Sequence, residues 1–246
     1  MIHYHGLPMS NTHDMIRAFA THHAMVSYEN PDQLEIAAEV CQSIVLDNGA
    51  FSAWKAQKAY DFAGYAEWAT KWVKHPAVDW CVIPDVIDGT EADNDALLAD
   101  WHLPKAISVP VWHMHESLDR LHRLLEFPRI ALGSSGEFAV VGDEKWWRRM
   151  AEAMAVVCDP DGMPLAKLHG LRMLNPGVFS KLPLASADSC NVARNVGIDQ
   201  KWTGAYAPAS RTARAIVLME RIERHASAYR WNPAIVQDYQ NFDLFG

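Results

Sequence analysis

An α/β fold, and within that class a single-domain (β/α)8 TIM barrel, is what this sequence predicts, on three observations. Short apolar runs alternate with amphipathic stretches from end to end; eight such runs can be counted; and 246 residues with no linker or low-complexity segment suit one large domain. A doubly wound open sheet is the competing arrangement. The barrel makes the stronger demand, since its functional side chains must gather just after the strands, at one face.

The predicted strands are residues 2–5, 24–27, 43–46, 80–83, 108–112, 129–132, 166–168 and 184–187, where β-branched and aliphatic residues sit in a row without helical period. Between them, polar N-cap residues precede amphipathic runs: Asn11, Asp32, Asp61, Thr90, Ser117, Asp143 and Ser210, the last opening a helix from Arg211 to Ala228. Residues 171–183 carry two prolines and a glycine, so a short or irregular helix is expected there.

The third run is the most informative. Ser43 to Leu46 reads as a buried strand that stops at Asp47, and Asn48 and Gly49 follow as a turn that also lets backbone approach a ligand. Phe51 and Trp54 add flat apolar surface just beyond. Similar strand ends recur: His5, Asp85, His113 and His115, Gly133 to Gly136, His169 with Gly170, and Asp188.

Half the residues are hydrophobic and 21% charged, as in ordinary globular proteins. No run reaches membrane-spanning length and the first residues lack the form of a signal peptide, so the cytoplasm is the default location. Cys41, Cys81, Cys158 and Cys190 lack metal-knuckle spacing and read as small core residues. The net charge of −8 argues against coating nucleic acid by bulk electrostatics, but it is unevenly spread. Residues 1–140 hold 9 basic and 19 acidic side chains, and residues 141–246 hold 13 and 11. A basic surface would therefore draw on Lys145, Arg148, Arg149, Arg172, Arg194, Lys201, Arg211 and Arg214, although solvated helix faces account for such residues equally well.

Taken together, LDNGAFSAW around Asp47, CVIPDV around Asp85, ALGSSGEF, KLHGLRM and ADSCNVARN resemble, in order and spacing, the motifs of the tRNA-guanine transglycosylases. These enzymes exchange guanine for a 7-deazaguanine. The turn after the third strand matches that family at Asp47, Gly49 and Phe51 and departs at Asn48, Ala50 and Ser52. The Cys-rich zinc insertion of the tRNA enzymes is missing, so the chain is most similar to the smaller branch that modifies DNA.

The resemblance implies Asp188 as the nucleophile that traps the sugar and Asp47 as the acid and base that serves the two purines. It implies Asp85 as reader of the N1–H and amine edge of a guanine-like ring, with Gly133 and Ser134 at its carbonyl. Asn48, Gly49, Phe51, His169 and Gly170 complete the expected base pocket, and Phe51 or Trp54 would stack on a flipped base. Arg148, Arg149, Arg172 and Arg194 are the nucleic-acid contacts expected. The implied partners are DNA and a 7-deazaguanine base such as preQ0, with no cofactor and no metal; whether a helper protein opens the duplex is left open.

Three other readings stand beside this one. His3 and His5 on the first strand, with His113 and Asp188, resemble the metal ligands of amidohydrolase barrels, although the sixth strand ends without a histidine. A tRNA substrate and a catalytically silent binding protein complete the alternatives. Trp146 and Trp147 before two arginines could clamp single-stranded nucleic acid or be half buried at a helix start.

Overall fold

Chain order is β1 (Ile2–Gly6), α1 (Thr12–Phe19), β2 (His23–Ser27), α2 (Leu34–Val40), β3 (Ser43–Asp47), α3 (Ala50–Lys55), α4 (Phe62–Trp72), β4 (Val78–Val82) and α5 (Glu91–Asp100). It continues with β5 (Ser108–Val109), β6 (Val111–His113), α6 (Leu118–Arg123), β7 (Arg129–Gly133), α7 (Glu144–Val157), β8 (Lys167–Gly170), α8 (Pro176–Phe179), β9 (Ser186–Ser189), α9 (Asn191–Asn195) and α10 (Arg211–Glu223). The structure, a computed structural model, describes residues 1–198, 202 and 207–235; Lys201 of the basic set lies outside them.

The strands are all parallel, in the order β5-β4-β3-β2-β1-β9-β8-β7-β6. The two ends of that order are consecutive pieces of one stave, parted only by Pro110. Proline has no N–H to give the ladder, so the stave splits there, yet its carbonyl still accepts from Ala131 N at 2.9 Å. The sheet thus closes through the chain itself, and the nine segments form the eight staves of a TIM barrel.

Alternation along each stave sorts side chains between two cores. Tyr4, Met25, Val45, Trp80, Val82, Val109, Val111 and Ala131 fill the barrel, while a larger cluster including Phe19, Ile44, Leu46, Trp112, Ile130 and Met150 lies between barrel and helices. Burying each such large side chain contributes roughly 1.5–3 kcal/mol. Because Tyr4 points inward, its neighbours His3 and His5 point outward. His5 Nε2 meets Glu223 Oε1 of α10 at 2.9 Å, and His3 Nε2 meets the His225 carbonyl at 3.0 Å. The period of two therefore takes both histidines away from the barrel mouth, and among the described residues no group of three or more His, Cys, Asp or Glu could hold a metal ion.

Asn11, Asp61, Thr90, Ser117, Asp143 and Ser210 each cap the helix they precede, Thr90 within a capping box. Asp32 does not: α2 begins at Leu34 as expected, but the residue before it is Gln33, whose side chain bonds both backbone groups of Met9 instead of capping the helix. Helix α10 ends at Glu223, short of Ala228. No helix among the described residues is long and apolar enough to cross a membrane.

Candidate active site

The C-terminal ends of β3, β4, β6, β7, β8 and β9 hold the polar residues that the sequence singled out. Strand β9 runs two residues further than the apolar run suggested, so Asp188 lies inside it; likewise His169 and Gly170 are the last two residues of β8. Their polarity hid from a reading based on apolar runs that the strands extend through them.

Asp47 ends β3, and Gly49 N donates to its Oδ2 at 3.1 Å. Gly49 sits at φ 80°, and a Cβ there would come within 2.8 Å of Glu29 Cγ, so both conformation and space require glycine. Burial raises the Asp47 carboxyl to about 7, helped by the negative charges of Asp188 and Asp85. Ser27 Oγ lies near enough to pull it down, without the alignment of a hydrogen bond.

Asp188, only 5% exposed, faces the same mouth. Its Oδ1 accepts from Arg172 N at 2.8 Å and has His169 Nε2 at 3.4 Å, whereas Oδ2 accepts no hydrogen bond among the described residues. Cys190, taken from the sequence as a core residue, is an exposed residue beside this carboxylate, with only its sulfur turned in against Gly6. Burial of its thiol and the charges of Asp188 and Asp47 push it up to about 11, which keeps it a neutral thiol.

Asp85 is the hub of a buried network. Its Oδ1 accepts from Asn48 Nδ2 at 2.5 Å and its Oδ2 lies 2.7 Å from His113 Nε2. Asn48 spends its remaining groups on Ile83 O and Ala50 N, so it holds Asp85 and the turn rather than presenting an edge to a ligand. His113 is held in turn by Glu116, whose Oε2 accepts from His113 N and from buried Arg120. Sequence reasoning missed Glu116; its place three residues after His113 in the turn was the only sign. A Cβ on Gly133 would sit 3.3 Å from His113 Nδ1, so the glycine leaves the space over that nitrogen open.

The aromatic surface is also assembled, with an occupant. The Arg172 guanidinium lies 3.9 Å from the Phe51 ring centre and donates to Ser134 O at 2.7 Å, bridging α3 and the loop after β7. Trp54 packs 5.7 Å from Phe51 and remains 45% exposed at the rim. Gly170 serves packing, since a Cβ would strike Leu184 and Met173 at 2.9 Å.

Of the four arginines proposed for nucleic acid, Arg172 and Arg194 lie near each other and near Cys190 at the mouth. Arg148 pairs with Glu144 along α7. Arg149 donates to the carbonyls of Met114 and Glu116 and lies over Trp112, which makes it a staple between α7 and the loop after β6. Trp146 and Trp147 are fully buried, Trp146 Nε1 donating to Ser134 Oγ, so neither is free to stack on nucleic acid. Both lie on the face of the amphipathic α7 that also buries Met150, Ala153 and Met154.

No protein-family model matches this chain, and no curated protein does. Among solved structures, a protein described as a candidate fructose-1,6-biphosphate aldolase from Coccidioides immitis matches 90% of this chain and 89% of its own. The TM-score is 0.50 and the sequence identity 13%, a likeness of fold and no more.

Proposed function

We propose that this barrel is a base-exchange transglycosylase that replaces guanine in DNA with a 7-deazaguanine such as preQ0. The observation that carries the reading is the pairing of Asp47 and Asp188 at one mouth, one carboxyl raised to about 7 and the other presenting an oxygen that accepts no hydrogen bond among the described residues.

Asp188 Oδ2 attacks C1′ of the target nucleotide as the C1′–N9 bond breaks. The electron pair of that bond passes to the guanine ring, which takes a proton from Asp47. The incoming 7-deazaguanine then gives its N9 proton to Asp47 and attacks C1′, breaking the ester and returning Asp188 to a carboxylate. Two displacements at C1′ retain the anomeric configuration. A group titrating near neutrality suits both proton transfers, since it gives and takes with similar ease.

Asp85 and His113 supply base choice. Each Asp85 oxygen keeps one acceptor site after meeting Asn48 and His113, enough for the N1–H and amine of a guanine-like edge. Adenine presents no such pair of donors. Phe51 offers the stacking face once the base takes the place of the Arg172 guanidinium. The absence of a zinc insertion in the sequence favours DNA over tRNA.

Purified protein incubated with labelled guanine or preQ0 is expected to exchange label into DNA, tested with and without cell extract as a source of a helper. Efficient exchange into tRNA and none into any DNA would overturn the substrate; none into either would overturn the activity.

A further inference from the structure

The nucleophile is not held by its own loop alone. A chain of polar atoms, its inner two members fully buried, reaches it from the other end of the barrel. Arg129 Nη1 donates to Ser186 Oγ at 3.1 Å, Ser186 Oγ lies 2.9 Å from His169 Nδ1, and His169 Nε2 lies 3.4 Å from Asp188 Oδ1. Ser186 and His169 are both 0% exposed, and His169 Nε2 is a buried polar atom that makes no aligned hydrogen bond. Trp80 closes the ring in at 4.8 Å.

The direction of the protons follows from which groups can donate. A guanidinium only donates, so the Ser186 oxygen receives from Arg129. The hydroxyl proton then has His169 Nδ1 as its acceptor, since no other acceptor bonds Ser186 Oγ among the described residues. That puts the imidazole proton on Nε2, aimed at Asp188. The opposite tautomer would strand the hydroxyl proton away from water and set a nitrogen lone pair against a carboxylate oxygen. Burial lowers the His169 pKa, with Asp188 pulling the other way, so the neutral ring is the natural state at pH 7.

We propose that His169 is a positioning residue for the nucleophile, locked by Arg129 and Ser186 as the Nε2–H tautomer so that it holds Asp188 Oδ1 and leaves Oδ2 to attack. This rests on the transglycosylase reading for its consequence in rate, although the proton arrangement stands apart from it. Two donors, Arg172 N and His169 Nε2–H, converge on one oxygen. In the sugar ester that oxygen is the carbonyl oxygen, so the same two contacts serve carboxylate and ester, and the 3.4 Å contact shortens when the carboxylate turns to C1′. The sequence suggested His169 as a base contact; with no exposure it touches no base and acts through Asp188.

Two measurements test this. Long-range 1H–15N correlation spectra of 15N-histidine-labelled protein, with His169 assigned by its loss in His169→Gln, should show a neutral Nε2–H ring at pH 7 and above. Ser186→Ala should convert that signal into a tautomer mixture. An Nδ1–H ring, or an imidazolium at pH 7, would overturn the proposal. Second, His169→Leu should slow adduct formation with DNA by about 10²-fold at unchanged KM for the base, as expected for a misaligned nucleophile. His169→Gln, which keeps a donor, should recover most of the rate. A folded His169→Leu protein as fast as wild type would overturn the role; if His169→Leu does not fold, a Ser186→Ala rate equal to wild type does the same. If the wild-type protein itself forms no adduct and exchanges no base, the function fails, and the tautomer spectrum still decides the wiring.

Discussion

His113 Nε2 lies 2.7 Å from Asp85 Oδ2 while Asn48 Nδ2 lies 2.5 Å from Oδ1, so two residues from neighbouring staves grip the carboxylate that faces the mouth. The grip fixes the plane in which Asp85 meets a ligand. In Asp85→Asn, one carboxamide group must point N–H toward a donor, either Asn48 or the base. Guanine affinity is expected to fall by about 10–100-fold, the equivalent of roughly 1–3 kcal/mol for an unmatched buried polar group. Isothermal titration with guanine checks this, and unchanged affinity would remove Asp85 from the base pocket.

Asp47→Asn should lower exchange by about 10²–10⁴-fold by removing the proton donor and acceptor. The same variant should be more stable than wild type above neutral pH. Below pH 3.8 both folded and unfolded chains hold the Asp47 proton; between 3.8 and about 7 only the folded chain does, so rising pH disfavours folding across that window. The penalty is complete above about 7 and is on the order of 2–4 kcal/mol. Urea melts of both proteins at acidic and alkaline pH test the sign, and parallel pH profiles would refute it.

Asp188→Asn should abolish both exchange and any covalent DNA adduct, since an amide is a far poorer nucleophile. Peptide mapping of the adduct formed by Asp47→Asn, in which the second step is slowed, should locate the sugar on Asp188. An adduct on another residue, or full activity in Asp188→Asn, would identify a different nucleophile.

Glu223 fastens α10 to β1 through His5 and to the turn before β2 through His22, and the His22 contact depends on pH. Against the upward pull of burial, hydrogen bonds from His22 and His5 hold Glu223 down to about 2, and the bond to Glu223 raises His22 above its usual value. The Glu223 contribution is present above pH 4.5 and fades as pH falls through about 2. That of His22 is complete below 6.5 and fades as pH rises past its raised value. Glu223→Gln should cost about 1–3 kcal/mol near pH 6 and less at pH 9. Thermal melts at the two values would show equal losses if the anchor were not ionic.

Arg149→Ala and Arg194→Ala should part company. The first leaves the carbonyls of Met114 and Glu116 without their donor and should lower stability by about 1–3 kcal/mol with little change in DNA affinity. The second should reduce DNA affinity and the steepness of its salt dependence at unchanged stability. Melts and salt titrations of binding distinguish them; the reverse pattern would move the nucleic-acid surface from the mouth to α7.

The sequence by itself determined the barrel and the strand ends on which the site is built. Apolar runs such as Ser43–Leu46 and caps such as Thr90 and Asp143 are local signals, set by burial and by unpaired helix N–H groups within a few residues. It also singled out Asp47, Asp85 and Asp188, because an acid at the end of an apolar run stands out in one dimension. What only the tertiary structure decided is which polar groups meet. Strand alternation turned His3 outward to the His225 carbonyl and His5 outward to Glu223, and α7 packing buried Trp146 and Trp147. Asn48 went to Asp85, and His169 came to lie between Ser186 and Asp188. A hydrogen bond joins residues far apart in the chain at a range of about 3 Å, and no local pattern encodes that distance until the barrel closes.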